Sequence, residues 1–88
     1  MNTNISLIRL SEVLKLIPLS KATIYRRIAD GLFPPPISLG PNSSAFYEHE
    51  IKLILAAMPL GKDLKSLVSA LIEQRETLFE YLNTPLAA

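Results

Sequence analysis

A short segment between Ser20 and Gly31 combines three basic side chains with two alanines. If Ile24 and Ile28 form the buried face of a helix there, a step of about 100° per residue places Arg26 on the opposite face. A guanidinium can donate two hydrogen bonds to a guanine edge, and small alanines let a helix enter a major groove. The pattern is typical of a DNA recognition helix. Its predicted contact residues are Ser20, Lys21, Ala22, Thr23, Tyr25, Arg26 and Arg27.

The sequence on either side of this segment decides between two interpretations of its charges. On an isolated helix, basic residues more often form an ordinary solvated surface. Here Ser11 is placed to cap a short first helix that Pro18 ends, and Ser20 is placed to cap a second helix that Gly31 ends. Two short helices joined by a tight turn have the outline of a helix-turn-helix, which favours DNA binding. The pattern leaves open whether Tyr25 covers the core or faces the DNA.

Prolines and turn-forming residues dominate the segment after the second helix. Three consecutive prolines exclude a helix, residues 37–39 alternate as a strand does, and residues 40–44 have the composition of a turn. Residues 45–47 could return as a second strand, so we expect a small β-hairpin with a neutral, polar tip. A third helix is predicted from Glu48 to Met58. The tip residues expected to approach DNA are Asn42, Ser43 and Ser44.

The last part of the chain, from Lys62 to Asn83, has a wide apolar stripe with the spacing of an amphipathic helix. Interpreted as a heptad, the stripe predicts a helix that joins two subunits and so places two recognition helices on one duplex. The alternative is that the stripe folds back on its own domain and completes a small core. The predicted oligomerisation residues are Leu64, Val68, Leu71, Arg75, Leu78 and Leu82.

The composition argues against catalysis and against a bound metal. The 88 residues include no cysteine and one histidine, so disulfides are impossible and the usual zinc ligands are missing. His49 lies between two glutamates, but adjacent residues on a helix point in different directions and do not form a site. No nucleophile motif or glycine-rich phosphate loop is present. We therefore predict a protein that is not an enzyme and uses no metal or cofactor.

Hydropathy and charge restrict the expected surroundings of the protein. The hydrophobic content of 49% is high for so small a domain and favours self-association. The longest apolar run, residues 53–58, is far shorter than the ~20 residues that span a bilayer, and the N-terminus lacks the basic region of a signal peptide. We expect a cytoplasmic, nucleoid-associated protein without membrane contact. The net charge is only +1, but residues 1–33 carry five basic and two acidic side chains, where a phosphate backbone could use them.

Several segments together resemble the AlpA family of phage and prophage regulators. The segments are Leu10-Ser11-Glu12-Val13, Leu19-Ser20-Lys21-Ala22-Thr23-Ile24-Tyr25-Arg26, the run from Gly31 to Gly40, and Glu50-Ile51. The similarity extends from about Ile8 to Met58. The combination of Leu-Ser-x-x-Thr-Ile-Tyr-Arg with a following Gly-x-Phe-Pro-x-Pro is fairly specific, whereas each half alone would be weak.

The resemblance implies a fold and a class of function. That family is similar to phage excisionases and to the MerR-like winged helix, so residues 20–29 would be the recognition helix and residues 40–44 the wing. Its members act as transcriptional regulators or as recombination directionality factors. Two positions depart from the family pattern, which usually has arginine in place of Asn42 and tryptophan in place of Phe46. Phe46 keeps an aromatic core contact, whereas Asn42 lacks a charge-assisted phosphate contact.

Together these observations predict a mainly α fold with a small β-hairpin. Residues 1–60 would form a winged helix-turn-helix DNA-binding domain, and residues 61–88 an amphipathic helix for oligomerisation. The predicted function is a sequence-specific transcriptional regulator of phage, prophage or integrative-element type, with recombination directionality (an excisionase) as a further output. Its expected partners are duplex DNA, a second copy of the chain, and an integrase or RNA polymerase. The rival hypothesis is a protein-interaction module, an anti-repressor or adaptor that docks through the C-terminal helix.

Overall fold

The computed structural model describes residues 5–83 and contains four helices and three strands within that range. The elements are β1 (Leu7–Ile8), α1 (Leu10–Leu16), α2 (Lys21–Ala29), β2 (Ile37–Gly40), β3 (Ser43–Tyr47), α3 (Glu48–Ala57), a 3-10 turn (Met58–Leu60) and α4 (Leu64–Leu82). The strands form an antiparallel sheet in the order β1-β3-β2. This is the winged helix-turn-helix with an added C-terminal helix that the sequence predicts.

Strand β1 has no counterpart in the sequence prediction. It pairs with the far end of β3, so that Leu7 lies opposite Tyr47 and Ile8 opposite Phe46. Two residues are too few for an alternating pattern to be recognised, which is why the strand escapes sequence analysis. Its pairing attaches the beginning of α1 to the sheet and brings Arg9 close to the hairpin.

Helix α1 begins at Leu10, so the predicted cap at Ser11 is wrong. Arg9 holds the N-cap position in an extended conformation, and its carbonyl oxygen accepts hydrogen bonds from the amides of Glu12 at 2.9 Å and Val13 at 3.1 Å. Because β1 is paired to β3, the chain is extended up to Arg9 and turns into the helix there. Ser11 therefore already lies in the first turn and caps nothing.

Both predicted ends of helix α2 are confirmed. The hydroxyl of Ser20 accepts a hydrogen bond from the amide of Thr23 at 3.1 Å and so satisfies one of the free N–H groups of the first turn. At the other end Gly31 adopts the left-handed conformation, with φ of 74°. Its amide donates to the carbonyl of Ile28 at 3.1 Å, and the next amide donates to the carbonyl of Arg27 at 2.8 Å. This pair of bonds is the Schellman motif, which requires a residue that tolerates positive φ.

Replacing Ser20 with alanine should lower the free energy of unfolding by about 1 kcal/mol, because the first turn of α2 loses its side-chain acceptor. Chemical denaturation followed by circular dichroism would measure the change. The matched control is Ser11→Ala, since the Ser11 hydroxyl has no capping hydrogen bond and the change should be nearly neutral. Equal losses for the two variants would contradict the capping role of Ser20.

The hairpin is tighter than the sequence suggests. Its turn consists of Pro41 and Asn42, and Asn42 is left-handed with φ of 57°. A proline followed by a residue of positive φ matches a type II turn, and asparagine is one of the few residues other than glycine that accept this conformation readily. A register shift between Ser38 and Gly40 leaves Leu39 without a partner on β3. Serines 43 and 44 therefore belong to the strand rather than to the turn.

A single apolar core holds the helices on the sheet. Phe46 and Phe33 meet edge to face, with ring centroids 6.2 Å apart and planes at 77°. Phe46 thus makes the aromatic core contact expected at that position. The buried cluster consists of Val13, Ile17, Ile24, Phe33, Phe46, Ile51, Ile54, Val68 and Leu71. It draws residues from all four helices, so α4 completes the core of the winged helix-turn-helix.

The packing of α4 therefore differs from the predicted dimer seam at several of its residues. Val68 and Leu71 are each only 2% exposed and pack into the core of their own chain. Leu64 is partly buried against the same core, whereas Leu82 is 52% exposed. On its inward face, α4 therefore packs on its own domain, which is the alternative that the sequence left open.

Within residues 5–83, no helix has the combination of length and hydropathy that a membrane span requires.

Arg75 departs most clearly from the predicted dimer seam. It forms an ion pair inside its own domain instead of lying in a coiled-coil interface. Its Nε and Nη2 donate to the two carboxylate oxygens of Glu50 at 2.8 and 2.6 Å, and Nη2 also donates to the carbonyl of Pro35 at 2.9 Å. The guanidinium lies 5.1 Å from the centroid of the Tyr47 ring. The hydrogen bonds with Glu50 raise the pKa of Arg75 above its ordinary value. Glu50 is 1% exposed, so the carboxylate that accepts these hydrogen bonds is almost completely removed from solvent.

Candidate nucleic-acid interface

The face of α2 that points away from the core is polar and has small side chains between its longer ones. Ile24 is fully buried beneath it, whereas Ala22, Arg26 and Ala29 are exposed, as the helical spacing predicts. Tyr25 is 45% exposed, which places its ring at the surface rather than over the core. The two alanines leave the helix without bulk between its longer side chains. This is the shape that lets a helix approach base edges.

The basic side chains of α2 have no acidic partners within residues 5–83. The surface pairs there are Lys15 with Glu12 at 3.4 Å and Lys52 with Glu48 at 3.6 Å, both on other helices. The cations of α2 make no ion pair or side-chain hydrogen bond in that range: Lys21, Arg26 and Arg27. Ser20 and Thr23, by contrast, are joined by a hydroxyl hydrogen bond of 2.9 Å at the helix start. These three cations are therefore not neutralised by any ion pair within residues 5–83.

The hairpin tip is neutral, as expected, but a cation that the sequence analysis missed lies beside it. Asn42 and Ser44 are exposed and Ser43 is half-buried. Nη1 of Arg9, which follows β1, donates to the hydroxyl of Ser43 at 3.4 Å. These residues are 34 positions apart in the chain, and only the pairing of β1 with β3 brings them together. The charge that Asn42 does not supply thus comes to the wing from Arg9, between β1 and α1.

The described residues offer no comparable site for chemistry. They contain no group of three or more histidine, cysteine, aspartate or glutamate side chains arranged to hold a metal. His49 is exposed and lies against the ring of Tyr47, with centroids 5.6 Å apart. Two grooves of about 450 Å³ flank α4, and both are predominantly apolar. The basic face of α2 and the Arg9–Ser43 pair are therefore the surface features with recognisable binding chemistry.

Comparison with known proteins places this chain in a family. The family model described as the prophage CP4-57 regulatory protein (AlpA) matches residues 6–53, which is more than half of the chain. The chain belongs to the AlpA family. The matched segment runs from β1 into α3, so it contains α2, Arg9 and the whole hairpin. AlpA is a regulatory family, and helix α4 lies outside the part of the chain that its model matches.

A phage relative supports membership of the AlpA family. The chain is 38% identical over 55 residues to an uncharacterized protein, ORF88, of Enterobacteria phage P4. The aligned region covers 62% of this chain and 62% of the relative. No solved structure matches the chain. The comparisons thus give this AlpA-family protein a regulatory and phage or prophage context, while the ligand has to be argued from its surface.

Proposed function

We propose that this AlpA-family chain is a regulator that binds duplex DNA through α2 and the hairpin. The observation that carries the proposal is the outer face of α2, where the exposed cations have no acidic partners and alanines separate them. Duplex DNA supplies the anionic partners that this face lacks, since its phosphates neutralise the cations. The major groove also accommodates a helix whose outer face has small side chains. The family's description as regulatory agrees with this ligand.

In the proposed complex α2 lies in the major groove with its N-terminal turn toward the bases. Lys21 starts the helix and Arg26 follows about 1.4 turns later, so one can contact the adjacent phosphates while the other reaches base edges. Arg27 is half-buried and lies toward the groove edge. The Ser20 cap and the Schellman motif at Gly31 fix both ends of the helix, so it need not become ordered on binding. The wing and Arg9 then approach the backbone of the same duplex.

We infer that the output of binding is control of transcription, with direction of site-specific recombination as the alternative within the same family context. Both outputs begin with the same duplex contact and differ in the second protein that is recruited. RNA polymerase is the expected partner for the first output and an integrase for the second. A promoter-reporter assay and an excision assay on an integrated element, run with the same chain, distinguish them.

The direct test of DNA binding is selection of sites by the full chain from a random duplex library, followed by footprinting on the enriched sequence. We expect a defined site and an affinity that falls with salt, because each neutralised phosphate releases counterions. Salt-dependent binding without an enriched site would limit the protein to non-specific binding. Failure to bind any duplex would contradict the proposal and favour a protein-interaction module.

Removing the Arg9 side chain is expected to weaken DNA binding equally for all sequences. If Arg9 neutralises one phosphate, Arg9→Ala should reduce the slope of log affinity against log salt by about 0.9. The measurement is fluorescence anisotropy on the selected site and on a scrambled duplex between about 50 and 200 mM salt. Lys15→Ala is the matched control, because Lys15 is an exposed cation on α1 that already pairs with Glu12. An unchanged slope for Arg9→Ala would mean that the part of the wing beside Arg9 stays away from the backbone.

A further inference from the structure

Helix α4 has a flank that its own domain leaves uncovered. Lys65, Ile72 and Phe79 follow at seven-residue intervals, so they form one strip along the helix with a drift of ~20° per step. All three are exposed, Ile72 to 43% and Phe79 to 62%. Val68 and Leu71, on the adjacent face, are buried in the core. Helix α4 thus uses one face for its own domain and presents this strip to solvent.

The charges of α4 are divided between its two halves. Lys62 precedes the helix and Lys65 lies in its first turn, while Glu73, Glu76 and Glu80 lie from its middle onward. The cation in that part of the helix, Arg75, is paired with Glu50. Asp63 interrupts the basic end, but it is used as the N-cap and accepts hydrogen bonds from Ser66, which lower the pKa of its carboxyl. Within residues 5–83, Lys65 and Glu76 form no ion pair. The strip therefore has a basic half and an acidic half, and its electrostatic complement is the same helix running in the opposite direction.

We propose that a second copy of this chain docks on the Lys65–Ile72–Phe79 strip, with the two α4 helices antiparallel about a two-fold axis at Ile72. This arrangement places Phe79 against the aliphatic stem of the partner's Lys65. It also brings the ammonium group of Lys65 within one helical turn of the partner's Glu76. A parallel pair would instead place each charge opposite its own kind, so charge complementarity selects the antiparallel dimer.

The proposal keeps the homodimer expected from the sequence but moves its interface. The heptad seam would use Val68, Leu71 and Arg75, which the fold already occupies with its core and with Glu50. The remaining strip is narrow, and small interfaces belong to weak or transient complexes. We therefore expect a concentration-dependent dimer rather than a permanent one. The two grooves beside α4 are also lined mainly by apolar residues but have no such charge division, so they predict no particular partner.

Sedimentation equilibrium on the full chain tests the interface, with Phe79→Ser as the variant. We expect the dimer dissociation constant to rise about tenfold or more, since each Phe79 ring that packs on the partner's Lys65 is lost. Tyr81→Ser is the matched control, because Tyr81 is 65% exposed on the same helix but on the opposite flank. It should leave the constant unchanged. A chain that stays monomeric at several hundred micromolar, or a larger effect of Tyr81→Ser, would overturn the proposal.

Cross-linking tests the antiparallel direction, and the absence of native cysteine makes single-cysteine variants unambiguous. With the axis at Ile72, an Ile72→Cys chain should form a covalent dimer under mild oxidation. A Phe79→Cys chain should not, because its two thiols would lie about 21 Å apart along the helices. Equal cross-linking at both positions would indicate a parallel pair, and no cross-linking at either would place the interface elsewhere. DNA binding by the monomer is compatible with either result, so the two proposals can fail separately.

Discussion

Replacing Arg75 with alanine is expected to lower the free energy of unfolding by about 3 kcal/mol. The substitution leaves the Glu50 carboxylate, which is 1% exposed, without the two hydrogen bonds that compensate its loss of water. Removing one partner of a buried pair usually costs about 3–5 kcal/mol, and the lower end applies because 19% of the Arg75 side chain remains exposed. The carbonyl of Pro35 and the ring of Tyr47 lose contacts in the same step.

Urea denaturation of the full chain measures this effect, and two further variants identify its cause. Glu50→Gln combined with Arg75→Met removes both charges, so it should recover part of the loss, since no carboxylate is then left buried without a partner. Arg26→Ala removes an exposed arginine that has no ion pair and should change stability by less than about 0.5 kcal/mol. If Arg75→Ala is as mild as Arg26→Ala, the ion pair does not hold α4 on the domain.

Local signals in the sequence were sufficient for the helix-turn-helix and the hairpin. The cap at Ser20 and the left-handed Gly31 act on their nearest neighbours, so the residue types alone indicate where α2 begins and ends. The Pro41–Asn42 turn lies within the predicted turn of residues 40–44, but the residue types did not indicate that the strands extend into that range. The same locality explains the error at Ser11. A serine before a helical pattern is a good cap in general, but with β1 paired to β3 the N-cap of α1 is Arg9 and the helix begins at Leu10.

The contacts that the sequence could not predict are those between distant residues. Arg75 and Glu50 are 25 positions apart, and Arg9 and Ser43 are 34 positions apart. An apolar stripe on α4 indicates that the helix is amphipathic, but it does not indicate whether one chain or two cover that face. The structure supplies the answer for Val68 and Leu71 by placing them in the core of their own domain. Packing of this kind depends on the whole fold rather than on spacing along one helix.

Replacing Arg26 with alanine is expected to reduce affinity for the selected DNA site by about 1–3 kcal/mol, which is roughly 5- to 150-fold. Arg26 lies opposite the buried Ile24 on α2, and it forms no ion pair within residues 5–83. Its guanidinium can therefore make a bidentate contact that alanine cannot replace. Fluorescence anisotropy at one fixed salt concentration measures the loss, and Lys52→Ala is the control, because Lys52 pairs with Glu48 on α3.

The kind of contact that Arg26 makes follows from a second substitution, Arg26→Lys, which keeps the charge but loses the planar pair of donors. If Arg26 reads a guanine, lysine should keep the salt dependence while relaxing the preference at one base pair, and alanine should relax it further. If Arg26 holds a phosphate, lysine should restore nearly full affinity for every sequence, and alanine should lower the salt slope by about 0.9. The stability of Arg26→Ala, measured beside Arg75→Ala, ensures that lost affinity reflects the contact rather than unfolding. Unchanged binding by Arg26→Ala and by Lys21→Ala together would remove α2 from the DNA interface.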